Sequence, residues 1–369
     1  MFSHRLSWDS HPNAISLLLA RKKAEGAEIL DLTESNPTQA GILYPEAEIL
    51  AGFQNPAILT YGPDSAGLLS ARNLIANAFH LDPATLILTS STSEAYTWIF
   101  KLLCDPGDSV LVPQPSYPLF DYLAALENVG VIHYPLSYHG AWSIDIDTIR
   151  ERITNRTRAI VVVNPNNPTG SYVSGGELAA LAEICREYDL AIISDEVFAP
   201  FSFAPDRLFT PIASATGVTA FSLNGLSKLI GMPQMKLGWI QTNNPAAHNR
   251  LELIADTYLS VGTPVQYALP ALLNTRHRIQ DQIRKRLAVN LAELQRTFLP
   301  RAVEGGWYAV LQVSQIRSEE EWVLGLLEQH NVLVQPGYFY DFLSEAFLIL
   351  SLLTLPETFR EGLRRLTQF

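Results

Sequence analysis

Cysteine is nearly missing from this chain: Cys104 and Cys185 are the two in 369 residues. Two thiols without C-x-x-C spacing exclude a disulfide framework and a cysteine-based metal site, and they point to a reducing, cytoplasmic setting. No metal is expected. Basic residues are also in deficit, with 26 Lys and Arg against 37 Asp and Glu and a formal net charge of −11. Nucleic-acid binders neutralise phosphates with surplus Lys and Arg, so that class of partner is excluded. Long apolar runs are lacking too. Those that exist, such as 346–350, fall far short of the ~20 residues that span a bilayer, so no membrane partner is expected. The brief apolar stretch at 14–20 is followed, not preceded, by Arg21, Lys22 and Lys23. That polarity is wrong for a secretory signal, and the stretch reads as the first amphipathic helix of a soluble protein.

What remains is the composition of a globular chain, 47% hydrophobic and 17% charged. A chain of this length buries roughly 75% of its unfolded surface and usually divides into two domains. From about 66 to 242, helical patterns alternate with short β-branched runs at 86–89, 109–113, 131–134, 159–163, 190–194, 219–222 and 237–241. Several are apolar on both faces, as expected where helices cover both sides of a mostly parallel sheet. Between Thr263 and Gly305 there is no Gly, and apolar residues recur at helical spacing, which predicts one or two long helices leading out of the core. Beyond Trp307 the pattern reads strand (308–313), helix (319–330), strand (332–335), strand (347–351), helix (357–368), a compact unit to which the first forty residues return. The expected architecture is α/β: a three-layer α/β/α large domain over 40–285 and a smaller α+β domain from 1–39 and 286–369.

Three loops carry chemistry. Asn164-Pro165-Asn166-Asn167-Pro168-Thr169-Gly170 follows the run at 159–163 and is, taken alone, an ordinary turn. The next helix and strand change its meaning. A right-handed crossover places Asn167 and Asp195 at the carboxyl ends of neighbouring parallel strands, where open α/β sheets bind ligands. Lys228 lies in a further post-strand loop among Ser, Gly and apolar residues, an environment that removes water and lowers an amine's pKa toward the nucleophilic form.

At these motifs, in this order, the chain resembles the class I/II aminotransferases, fold type I enzymes dependent on pyridoxal 5'-phosphate (PLP), from about Leu30 to Leu366. The resemblance implies that Lys228 holds PLP as an internal Schiff base and then moves the substrate's Cα proton, that Asp195 ion-pairs with the pyridine nitrogen, and that Asn167 donates to the ring's phenolic oxygen. It implies a phosphate cradle of Ser91, Thr92 and Ser93 at a helix N-terminus, where a plain Ser/Thr cap is equally served, with Ser227 and Lys236 adding ligands. Tyr117 matches the aromatic residue stacked on the pyridine. Tyr61, in Tyr61-Gly-Pro-Asp-Ser-Ala-Gly67, matches the tyrosine that reaches the neighbouring subunit's phosphate, which implies a homodimer. Asn36 and Ile349 fall at substrate-binding positions.

The departures from the family bear on substrate. The family's carboxy-terminal strand carries an Arg that grips the substrate carboxylate with a bidentate fork, and Ile349 stands in its place. Either the amino donor is not an ordinary α-amino acid, or another base such as Arg5, Arg276 or Arg278 holds its carboxylate. Phe198 replaces a Tyr that hydrogen-bonds the phenolic oxygen, Lys236 replaces a phosphate-clamping Arg, and Gly225 replaces a phosphate-binding Ser. The activity expected is transfer of an amino group from an amine or amino acid to a keto acid. A lyase or decarboxylase on the same fold is the alternative that Ile349 keeps open. A sensor module related to aminotransferase-like regulators is disfavoured, because few residues precede the first helix to hold a DNA-binding domain.

Overall fold

The structure is a computed structural model and describes residues 2–8, 11–204, 210–259 and 261–369. Eight strands form one sheet, in the spatial order Leu86–Thr89, Gly238–Thr242, Ala220–Gly225, Ala191–Asp195, Thr157–Val163, Ser109–Gln114, Gly130–Tyr138 and Trp142–Ile144. The four central pairings are parallel. The outer three are antiparallel. Seven of these strands match the runs read from the sequence. The eighth, Trp142–Ile144, is a three-residue antiparallel edge, too short to display a period.

The central strands are largely apolar where both faces are dry. Along Thr157–Val163, Ala159, Val161 and Val163 pack with Tyr96, Ile99 and Phe100. Ile160 and Val162 point the other way, onto Leu181, Ile184 and Cys185. Helices therefore cover both sides, giving three layers. The helix that joins the two catalytic-loop strands, Gly175–Tyr188, starts on a capping box: Glu177 N–H donates to Ser174 Oγ at 3.2 Å, and Ser174 N–H donates to the Glu177 carboxylate at 2.7 Å.

The expected helical stretch resolves into Thr263–Asn274 and Arg276–Thr297. The second buries Ile279, Ile283, Leu287, Leu291 and Leu294 along one side and runs unbroken through residue 285. Beyond it, Tyr308–Gln312, Phe347–Ser351 and Gln335–Pro336 form a small antiparallel sheet. The strand expected at 332–335 divides in two, since Val332–Leu333 pairs instead with Leu30–Asp31, in parallel. That pairing returns the amino-terminal segment to the carboxy-terminal unit. Among the described residues no helix is long and apolar enough to cross a membrane.

Candidate active site

A cavity of about 360 Å³ opens at the carboxyl ends of the parallel strands. Its size falls in the roughly 300–1,000 Å³ range of small-molecule pockets. Lys228, Asp195, Asn167 and Tyr117 line it, as do Ser91, Thr92, Ser93, Ser227 and Lys236. Nine residues spread over 146 positions thus share one space, eight of them at a strand end or in the segment after it and Lys236 just before the strand Gly238–Thr242.

The Lys228 segment is a single turn, Leu226–Leu229, whose Leu229 carbonyl accepts a 2.8 Å bond from Gln280 Nε2. Burial pushes the Lys228 amine down to about 8 although Asp195 pulls the other way. Asp195 closes its strand inside the protein. Burial raises its carboxyl to about 6, against opposing hydrogen bonds from Val197 N–H (3.2 Å) and the Tyr96 hydroxyl (3.4 Å). Burial likewise lifts the Tyr117 phenol to about 12, with Asp195 adding to the shift.

Ser91 is the N-cap of the helix Thr92–Leu103, accepting from Glu94 N–H at 3.2 Å. Its hydroxyl serves the cap, while Thr92 and Ser93, in the first turn where N–H groups lack a partner within the helix, line the cavity. Gly238 lets its strand approach this loop: a Cβ there would lie 3.0 Å from Thr89 Oγ1 and 3.1 Å from the Ser91 carbonyl carbon. At Gly225 a Cβ would lie 3.0 Å from the Leu237 carbonyl oxygen and 3.1 Å from Gly238 Cα, so the two strands approach closely there.

Asn166 joins two of the loops. Its Oδ1 accepts from Ser116 Oγ at 2.9 Å, and its Nδ2 donates to Pro115 O at 3.1 Å and Thr169 Oγ1 at 2.9 Å. The Tyr117 loop is thereby fixed to the Asn167 loop. Gly170, at φ +71°, meets the 303–305 segment so closely that a Cβ would lie 2.4 Å from Gly305 O.

Three expected residues lie elsewhere. Asn36 is turned away, its Oδ1 accepting from Thr38 N–H (3.1 Å) and Thr38 Oγ1 (2.8 Å). Ser35 lines the cavity instead, because Ser351 Oγ donates to Glu34 O at 2.6 Å and sets the chain there. Ile349 is 1% exposed, sealed in the core with Val310 and Tyr340. It shares a sheet face with Tyr308, which does line the cavity. Tyr61 is 78% exposed and does not line its own chain's cavity.

The alternative carboxylate grips also lie off the cavity. Arg5 donates to Leu126 O at 2.9 Å, Arg276 stacks 5.8 Å over Phe79, and Arg278 pairs with Glu48. Among the described residues no guanidinium lines the cavity. The residues that sequence reasoning missed are Ser35, Tyr308, Tyr96 and Asn166. Each acts through contacts far along the chain and carries no local signal.

The side chains present fit pyridoxal phosphate. Asn167 lines the cavity with a carboxamide, whose Nδ2 is a donor suited to a ring oxygen. Beside it stand an amine held near its free form, a buried carboxylate, and a helix N-terminus flanked by Ser227 and Lys236.

Residues 28–366 match the family described as aminotransferase class I and II. A glutamate-pyruvate aminotransferase of Haemophilus influenzae is 29% identical, over 95% of this chain and 92% of its own length. An alanine aminotransferase of Mycobacterium tuberculosis is 28% identical, over 91% and 84% respectively. Among solved structures, an alanine aminotransferase from Pyrococcus furiosus superposes with a TM-score of 0.88 at 26% identity, covering 100% of this chain and 99% of that one.

Proposed function

The chain is an aminotransferase and belongs to the class I and II family, and from that premise we propose that it works with pyridoxal 5'-phosphate held at Lys228. It moves an amino group from an amine or amino acid to a keto acid. The observation that carries this reading is the convergence of Lys228, Asp195 and Asn167 on one cavity from three separate loops. The comparisons favour transfer over the lyase or decarboxylase alternative, since the relatives are named as aminotransferases.

Bound there, the cofactor supplies an electron sink for the substrate's Cα. The protein supplies the rest. Thr92 and Ser93 N–H groups, with Ser227 and Lys236, would hold the phosphate. Asp195 would accept from the ring nitrogen and Asn167 would donate its amide to the ring oxygen, while Tyr117 would cover the ring. Lys228 Nζ, flanked by the Phe198 and Trp307 rings, would take the Cα proton and return it, which requires the unprotonated amine.

The reading includes a homodimer with Tyr61 contributed across the interface. In its support, the stretch that holds Tyr61 also exposes Leu43, Leu50, Leu59 and Leu69. It retains 40–285 as the large domain and 1–39 with 286–369 as the small one, and it places the enzyme in the cytosol, where the free thiols Cys104 and Cys185 belong.

Reconstitution is the test. Apoprotein titrated with pyridoxal phosphate is expected to gain a visible absorbance band and to transaminate pyruvate, the acceptor that the name of one relative indicates. Lys228→Ala is expected to lose both. Turnover retained in that variant overturns the reading.

A further inference from the structure

We propose that Tyr96 is a positioning residue for the Asp195 carboxylate, holding it from the same helix whose first turn presents Thr92 and Ser93 to the cavity. The proposal rests on the reading of that cavity as a pyridoxal-phosphate site. Tyr96 is 2% exposed, and its hydroxyl reaches Asp195 Oδ2 at 3.4 Å. The other carboxylate oxygen accepts from Val197 N–H at 3.2 Å. A buried phenol finds a partner for its O–H, and here that partner is the carboxylate.

The ring is fixed in this direction. It packs edge-on to Phe120 at 5.4 Å between centroids and tilted against Phe100 at 5.9 Å. Burial and the adjacent Asp195 raise the phenol well above its ordinary range, so it stays a donor at any working pH. Thr92 and Tyr96 are four positions apart on one helix and therefore share a face, one turn apart. One rigid element thus fixes the phosphate cradle relative to the acidic partner of the ring nitrogen. The charged and titratable groups facing Asp195 are Lys228, Tyr117, Tyr96 and the adjoining Glu196. Of these, Tyr96 is the one that hydrogen-bonds the carboxylate.

The hydroxyl favours the ionised carboxylate, opposing burial. Its removal therefore raises the pH at which Asp195 takes up a proton and loses a cationic ring partner. The test is the pH dependence of the pyridoxal-phosphate Kd, measured by fluorescence titration of apoprotein, for wild type, Tyr96→Phe and Tyr134→Phe. Tyr96→Phe keeps the ring and its packing. Tyr134→Phe removes a comparable buried hydroxyl, one that donates to Val161 O at 2.8 Å.

In Tyr96→Phe the acid limb, where affinity falls, is expected to move up by about one pH unit, with Kd at that limb weakened about tenfold. In Tyr134→Phe it is expected to stay in place. An unmoved limb in Tyr96→Phe overturns the proposal, as does an equal shift in both variants, which marks general loosening of the core. Wild type that fails to bind pyridoxal phosphate overturns the parent reading and this one with it. Wild-type binding with no effect in Tyr96→Phe overturns this one alone.

Discussion

The Nζ of Lys228 lies 4.8 Å from the centroid of the Trp307 ring, with Phe198 on another side at 5.4 Å. Aromatic faces attract a cation, and so does Asp195, yet loss of water outweighs both and the amine sits at about 8. The unprotonated amine is the form that captures an aldehyde. The rate constant for capture of pyridoxal phosphate by apoprotein should therefore rise with pH, level off above about 8, and fall about tenfold per unit below it. Stopped-flow absorbance across pH 6–10 measures this, and a flat profile contradicts it.

Asp195 is held at a stability cost. Its folded pKa, about 6, lies above the ordinary 3.8. The folded state thus binds the proton more tightly than the unfolded chain, and stability contributed at low pH is lost as pH rises from about 4 through about 6. Above that window the buried charge, only partly offset by its hydrogen bonds and Lys228, costs on the order of 3 kcal/mol. Asp195→Asn apoprotein is expected to show a higher Tm than wild type at pH 7.5 and a shrinking advantage below pH 5, with activity lost throughout. A lower Tm at pH 7.5 contradicts this assignment.

With no guanidinium on the cavity among the described residues, a donor's α-carboxylate meets no bidentate partner there. Such a charge-assisted pair contributes about 1.5–3 kcal/mol, or roughly 10- to 100-fold. Amines lacking the carboxylate should therefore turn over with kcat/KM within about tenfold of the matched α-amino acids. Ile349→Ala should cost about 2–5 kcal/mol of stability as a core cavity and leave that ratio unchanged. A preference for α-amino acids beyond a hundredfold defeats the prediction.

Asn166 holds the Tyr117 loop to the Asn167 loop by two buried hydrogen bonds, and a third, to Thr169, braces its own loop. Asn166→Ala strands the Ser116 hydroxyl and the Pro115 carbonyl, while Thr169 Oγ1 keeps Ser171 as a partner, and should cost about 2–4 kcal/mol. Equilibrium urea unfolding reads the stability, and a titration of surviving folded apoprotein should show weaker binding of pyridoxal phosphate. Unaltered binding would mean the loops hold their places without it.

If Tyr61 serves the neighbouring subunit, two inactive variants should complement. Lys228→Ala mixed with Tyr61→Ala and reassociated at equal ratio makes half the dimers mixed, each with one native site, so about a quarter of wild-type activity should return. Simple addition of the two residual activities contradicts a shared site.

The large sheet was legible in the sequence because several of its strands are apolar on both faces and its runs are bounded by turn residues. Asn167, Asp195 and Lys228 were legible because each follows such a strand. Asn36 was misplaced by one residue relative to the cavity, since an Asx-type bond to Thr38 turns it outward and leaves Ser35 inward. Nothing within a few residues of either position encodes that choice.

By itself the sequence determined the order of strands and helices and the loops that hold the lysine, the aspartate and the asparagine, because periodicity and turn residues act over a few positions. The tertiary structure alone decided which side chains share the cavity. Tyr96 meets Asp195 across 99 positions and Ser351 sets Glu34 across 317. It also decided that Ile349 is sealed beneath the cavity and that Arg5, Arg276 and Arg278 are engaged elsewhere. The reason is physical: burial and hydrogen bonding depend on which distant segments are packed together, and that information is spread over the whole chain.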